Sequence, residues 1–140
     1  MDNMYINSMR INTSRYEQEL IELQTLLLQR DLSNLEYRAA ERSLQVSIEA
    51  CIGIAKHWAK YKTGHRAIDA YQSFEQLSQT GDITLEDLKN WRKVIGLRNA
   101  LVHDYLNIDP EIVRSIIKNS FYEQLFDFIT VGLDTLENSK

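Results

Sequence analysis

The chain has one proline and five glycines among its 140 residues. So little turn chemistry argues against a structure of short strands and tight turns, and points to helices. A single cysteine, Cys51, excludes an internal disulfide and fits a reducing compartment, so a cytoplasmic location is expected. No apolar run nears the roughly 18 residues needed to span a bilayer, so no membrane association is expected. Residues 1–10 lack the apolar segment of a signal peptide, and none is expected. Positive charge is also short. Sixteen Lys and Arg stand against twenty Asp and Glu, a net charge of −4. That is the wrong overall sign for non-specific nucleic-acid binding, so any bound RNA needs a local basic patch. Neither a Gly-rich phosphate loop nor the carboxylate triad of a nucleotidyltransferase is present. His57 and His65 have no partner ligands at metal-binding spacing. No metal and no cofactor are therefore expected.

What remains is a chain of 44% apolar and 26% charged residues, long enough for one domain with a core. A single helical domain over 1–140 is expected, with the polar residues 1–12 flexible. A first helix is predicted from Thr13 to Gln29, with Thr13 or Ser14 as cap, Glu17 completing a capping box, and Leu20, Leu23 and Leu27 as its stripe. A long second helix follows Ser33 to about Lys60. Tyr37, Ala40, Leu44, Ile48, Cys51, Ala55 and Trp58 fall on one narrow arc of it. Gly53 in its middle suggests a close helix contact, since an interior glycine costs about 1 kcal/mol against alanine. A third helix is predicted over 67–78, with Ile68, Tyr71, Phe74 and Leu77 as its face, and Thr80-Gly81-Asp82 as the turn after it.

Thr84 caps a fourth helix with two apolar faces. Leu88, Trp91, Ile95, Val102 and Leu106 form one, and Val94, Leu97 and Leu101 the other. One face suits the core and the other a second copy of the chain. Asp109-Pro110 starts a last helix expected to run unbroken to about Leu136. The fold expected is an all-α, homodimeric, antiparallel bundle of four to five helices.

The fourth helix also carries the densest chemistry. Arg98, Asn99, His103 and Tyr105 put a cation, an amide, an imidazole and a phenol within eight positions. Arg98 and His103 are five apart, about 140° around an ideal helix, whereas Asn99 and His103 share a face. Two routes bring Arg98 and His103 onto one substrate. The long Arg98 side chain reaches round near the helix end, or a dimer axis beside this helix brings one copy's Arg98 toward the other's His103. The composite cleft of two copies is the arrangement expected. RNA supplies its own nucleophile, the 2′-hydroxyl. An imidazole moves the proton and a guanidinium stabilises the charge gathering on the phosphoryl group, so a metal is not required. Lys89, Arg92 and Lys93 offer a phosphate track leading to the motif. On spacing alone, the commoner role of such an Arg and His is to satisfy hydrogen bonds in a bundle or an interface, and of such a Lys/Arg cluster to form a solvated face.

Arg98-Asn99-x-x-x-His103-x-Tyr105 resembles the signature of the HEPN superfamily, in particular of the HepT-like toxins. The stretch from Leu35 to Cys51 resembles that family's long second helix, and the likeness covers roughly residues 15–130. The resemblance implies a homodimeric all-α ribonuclease toxin that works without a metal, with Arg98, His103 and Asn99 as catalytic residues. It also implies a partner, a minimal nucleotidyltransferase antitoxin that transfers AMP to the tyrosine of His-x-Tyr, here Tyr105. The alternative, which the net acidity favours, is a non-catalytic helical partner subunit of a nucleotidyltransferase. A plain helical scaffold is a third reading.

Overall fold

The structure, a computed structural model, describes residues 2–103 and 107–139. Among these it is all-helical: α1 (Asn3–Gln29), α2 (Asn34–Thr63), α3 (Ala70–Gln79), α4 (Leu85–His103), α5 (Pro110–Lys118) and α6 (Glu123–Glu137). The axis of the bundle is α2, which packs on α1, α3, α4 and α6, while α1 also meets α5 and α6. The arc read from the sequence is buried from Ala40 through Leu44, Ile48, Cys51 and Ala55 to Trp58. Ala50, Ile52, Ile54 and Ala59 are buried on other sides of α2, as suits a helix with neighbours all round.

Local signals set most of the ends. Ser33 Oγ accepts from the Glu36 N–H at 3.1 Å, and Glu36 Oε1 accepts from the Ser33 N–H at 2.8 Å, a complete capping box. Thr84 and Asp87 repeat the exchange before α4, each bond 3.0 Å. Asp109 caps α5, with Pro110 as its first residue. Gly64, at φ +77°, closes α2 in the left-handed region that glycine enters without strain.

The first helix begins ten residues earlier than expected. Asp2 caps it, and Ile6 is 1% exposed, so the segment expected to be flexible is part of the core. The stripe continues upstream through Ile6, Met9, Thr13 and Tyr16 at intervals of three and four. Thr13 is not a cap. It is a buried interior residue whose hydroxyl donates to the Met9 carbonyl at 2.6 Å. The third helix starts later than expected, because Asp69 accepts from the Gln72 N–H and fixes the cap there. Ile68 is left outside it and 86% exposed rather than on its buried face.

The last helix is two helices, which brings the total of α-helices among the described residues to six. The break at Asn119–Tyr122 holds Ser120 at φ +59°. Gln24 of α1 pins it. Its amide donates to the Lys118 carbonyl at 3.2 Å and to Ser120 Oγ at 2.6 Å, and its carbonyl accepts from the Tyr122 hydroxyl at 2.6 Å. Phe121, an apolar position inside the helix expected to run unbroken, is exposed.

Close helix approach belongs to Gly132 rather than Gly53. A Cβ at Gly132 would lie 2.5 Å from Ile54 Cγ2 and 3.3 Å from Trp58 Cε3, whereas one at Gly53 would meet only the Tyr5 hydroxyl, at 3.6 Å. Gly132→Ala is therefore expected to cost about 1–3 kcal/mol through overpacking of α2 against α6. Gly53→Ala is expected to be neutral or to stabilise by up to about 1 kcal/mol. Urea unfolding of the two variants checks this, and the opposite order of stabilities would overturn the assignment.

Candidate functional site

Regular α-helix persists through the motif as far as His103, so the angular offsets expected from spacing hold. Arg98 is half-buried and donates from Nε to Asn99 Oδ1 at 2.9 Å. Asn99 and His103 are exposed, one turn apart on the same face. Asn99 thus holds the guanidinium, on the more buried side of α4, from the face that also carries the imidazole. Tyr105 and Leu106 lie outside the described residues.

The open side extends further than the motif. Lys89, Arg92, Gly96, Asn99 and His103 succeed one another at intervals of three and four, and every one is exposed. They form a continuous stripe of about 21 Å at 1.5 Å rise per residue. Its start is cationic and its end is the imidazole. Gly96 in the middle has nothing within 4 Å of where a Cβ would stand, so the stripe is flat there and open to solvent. Arg92 lies over the Tyr71 ring of α3, its guanidinium carbon 4.9 Å from the centroid, which steadies one cation of the stripe. Gly96 and the alignment of Arg92 with Asn99 and His103 are missed in the sequence pattern above, although the spacing 89, 92, 96, 99, 103 carries them. The Tyr71 support carries no such signal, because it joins two helices.

Lys93 does not share this stripe. It turns toward an open groove of about 700 Å³ between α4 and the α5–α6 pair, lined on its apolar side by Val94, Leu97, Ile112, Ile116 and Phe121. Asn90 closes one end by donating to the side chain of Gln124. The second apolar face read for the fourth helix is therefore present in Val94 and Leu97, while Leu101, read with them, is buried in the core. Val102 is 39% exposed, on the side of α4 between Arg98 and Asn99. The core side of α4 consists of Trp91, Ile95 and Leu101, with Trp91 stacked on Phe74 at 4.5 Å between ring centroids.

The sequence profile of the family described as ribonuclease HepT-like matches residues 14–131. The chain belongs to this family. Within it, the mRNA nuclease HepT of Shewanella oneidensis is 35% identical over 89 residues, covering 62% of this chain and 67% of that one. The tRNA nuclease HepT of Aphanizomenon flos-aquae is 35% identical over 101 residues, 71% of this chain and 68% of that one. Among solved structures, the tri-AMPylated HEPN toxin of Shewanella oneidensis, in complex with an MNT antitoxin, matches with a TM-score of 0.76 and 26% identity. That match covers 94% of this chain and 99% of the toxin. The HepT-like profile takes in all of α2, α3, α4 and α5, and so the whole stripe. No described helix is long and apolar enough to cross a membrane.

Proposed function

We propose that this HepT-like chain is the ribonuclease toxin of a toxin–antitoxin pair. It cleaves RNA without a metal in a composite cleft of two copies, and a minimal nucleotidyltransferase antitoxin silences it by transferring AMP to Tyr105. The observation that carries the reading is the exposed cationic stripe of α4 ending at His103, with Arg98 tied to it through Asn99.

The chemistry follows from the groups. A 2′-hydroxyl attacks the adjacent phosphorus, an imidazole removes its proton, and the bond from phosphorus to the 5′-oxygen breaks as that oxygen gains a proton. Arg98 stabilises the phosphoryl oxygens as charge accumulates on them. Asn99 holds the guanidinium through Nε and leaves its two terminal nitrogens to face the phosphate as a fork. Two proton transfers call for two imidazoles, which a pair of His103 residues from two copies provides. The roughly 140° between Arg98 and His103 on one helix favours the same arrangement. Val102 and the apolar wall of the α4–α5 groove supply surface for the second copy. Lys89 and Arg92 hold flanking phosphates.

Incubation of the purified protein with RNA in EDTA tests the chemistry. Cleavage is expected, with 2′,3′-cyclic phosphate and 5′-hydroxyl ends. Cleavage that EDTA abolishes and Mg²⁺ restores would overturn the metal-free mechanism. Tight nucleotidyltransferase binding with no RNA cleavage at all would favour the non-catalytic partner.

A further inference from the structure

A second group of cations lies away from α4. Gly53, Lys56, His57 and Lys60 follow one another on α2 at helical spacing, on a face with no core residue. They line a concave pocket of about 340 Å³, which Arg66 and Ala67 close from the other side. The loop that returns Arg66 is firmly built. Gly64 enters the left-handed region, and its N–H donates to the Lys60 carbonyl at 2.7 Å. Thr63 Oγ1 donates to the Ala59 carbonyl at 2.9 Å and accepts from the His65 N–H at 3.1 Å. Behind the pocket, Tyr5 of α1 meets the His57 ring edge-on with centroids 4.7 Å apart.

The charge pattern is the informative part. Some cations of the chain are held by acids: Arg10 by Asp134 and Glu137, Arg30 by Glu36, Lys62 by Asp82, and Arg114 by Asp31 and Glu111. Lys56, Lys60 and Arg66 form no ion pair among the described residues, and no acidic side chain lines their pocket. The acid nearest in sequence, Asp69, is engaged as the cap of α3. Burial first, and then the Lys60 charge, hold the His57 imidazole below its ordinary range, so at neutral pH it offers an uncharged N–H beside the cations. On a chain of net charge −4, three unpaired cations around one concavity suit an anion with several acceptor oxygens.

We infer that the Lys56–Lys60–Arg66 pocket is a phosphoryl-binding site separate from the cleavage stripe, occupied by a phosphate of an RNA strand or of a free nucleotide. The site does not depend on the cleavage chemistry proposed for α4, and its test avoids cleavage altogether. The protein is titrated with a fluorescent 2′-O-methyl RNA, which has no free 2′-hydroxyl to attack, and separately with inorganic pyrophosphate while the His57 ring signals are followed by NMR. The same titrations are run on Lys56→Gln/Lys60→Gln/Arg66→Gln, whose exposed positions leave the core untouched. A Lys60→Gln single variant serves if the triple variant melts early.

If the phosphate comes from RNA, the triple variant binds RNA about tenfold or more weakly near 0.1 M salt. Its log–log salt slope then falls by about 2, the contribution of three single-strand phosphate contacts. If it comes from a nucleotide, RNA affinity is unchanged, but pyrophosphate shifts the His57 signals of the wild type and not of the variant. Unchanged RNA affinity together with His57 signals that pyrophosphate leaves in place would overturn the site.

Discussion

His103→Ala is expected to lower RNA cleavage by roughly 10²–10⁴-fold, the usual contribution of a positioned general acid or base. Arg98→Ala should cost about 10²–10³-fold, as expected on removing a donor aimed at developing transition-state charge. Arg98→Lys should recover little of that. An ammonium is a point charge that cannot present the two-nitrogen fork, and it loses the Nε bond to Asn99. None of these losses should follow from unfolding. His103 is exposed at the end of α4, and Arg98 is half-buried with its bond made to an exposed side chain. Surface changes of this kind usually stay within about 0.5 kcal/mol.

The contrast with the stripe's cations makes the test specific. Lys89→Gln and Arg92→Gln remove phosphate contacts without touching a proton-transfer group. They should raise KM and flatten the salt dependence, leaving kcat within a few-fold. Single-turnover cleavage of a short RNA at several salt concentrations separates the two classes. A His103→Ala protein that cuts as fast as wild type would remove the imidazole from the mechanism, and with it the composite cleft.

The parts of this structure that were legible in the sequence are those governed by local rules. The α2 arc, the Thr84 cap and the Asp109-Pro110 start each depend on residues a few positions apart. The misreadings share another cause. Apolar periodicity from Ile112 to Leu133 continues across Ser120, and the helix breaks there because Gln24, nearly a hundred residues earlier, captures the Lys118 carbonyl and the Tyr122 hydroxyl. The upstream half of α1 hid its stripe because Thr13 is polar, and its hydroxyl becomes inconspicuous only once it bonds back to Met9. Gly132 looked like an ordinary helix position until Trp58 and Ile54 were placed against it.

The site divides in the same way. The stripe from Lys89 to His103 is helical arithmetic. The Tyr71 ring beneath Arg92, the burial of Leu101 and the return of Arg66 over α2 come from packing between elements, which spacing does not encode.

Tyr105→Phe is expected to leave cleavage intact and to abolish neutralisation. In the proposed transfer, the phenolic oxygen attacks the α-phosphorus of ATP. A phosphorus–oxygen bond forms, pyrophosphate departs, and the phenol loses its proton. Phenylalanine has no such oxygen, so it keeps the ring and removes only the reaction. Tyr105 is seven residues beyond Arg98, two helical turns, which on a continuing helix is the same face. A phosphodiester attached there brings a fixed negative charge to the guanidinium intended for the RNA phosphate, and a nucleoside to fill the cleft. The block is thus electrostatic and steric together, and high salt alone should not relieve it.

The experiment incubates wild type and Tyr105→Phe with a minimal nucleotidyltransferase antitoxin and ATP, then measures intact mass and RNA cleavage on the same samples. Wild type should gain the mass of adenylyl groups and lose activity in proportion, while Tyr105→Phe gains no mass and stays active. Equal silencing of both proteins would move the switch off Tyr105, to simple occlusion by the bound antitoxin.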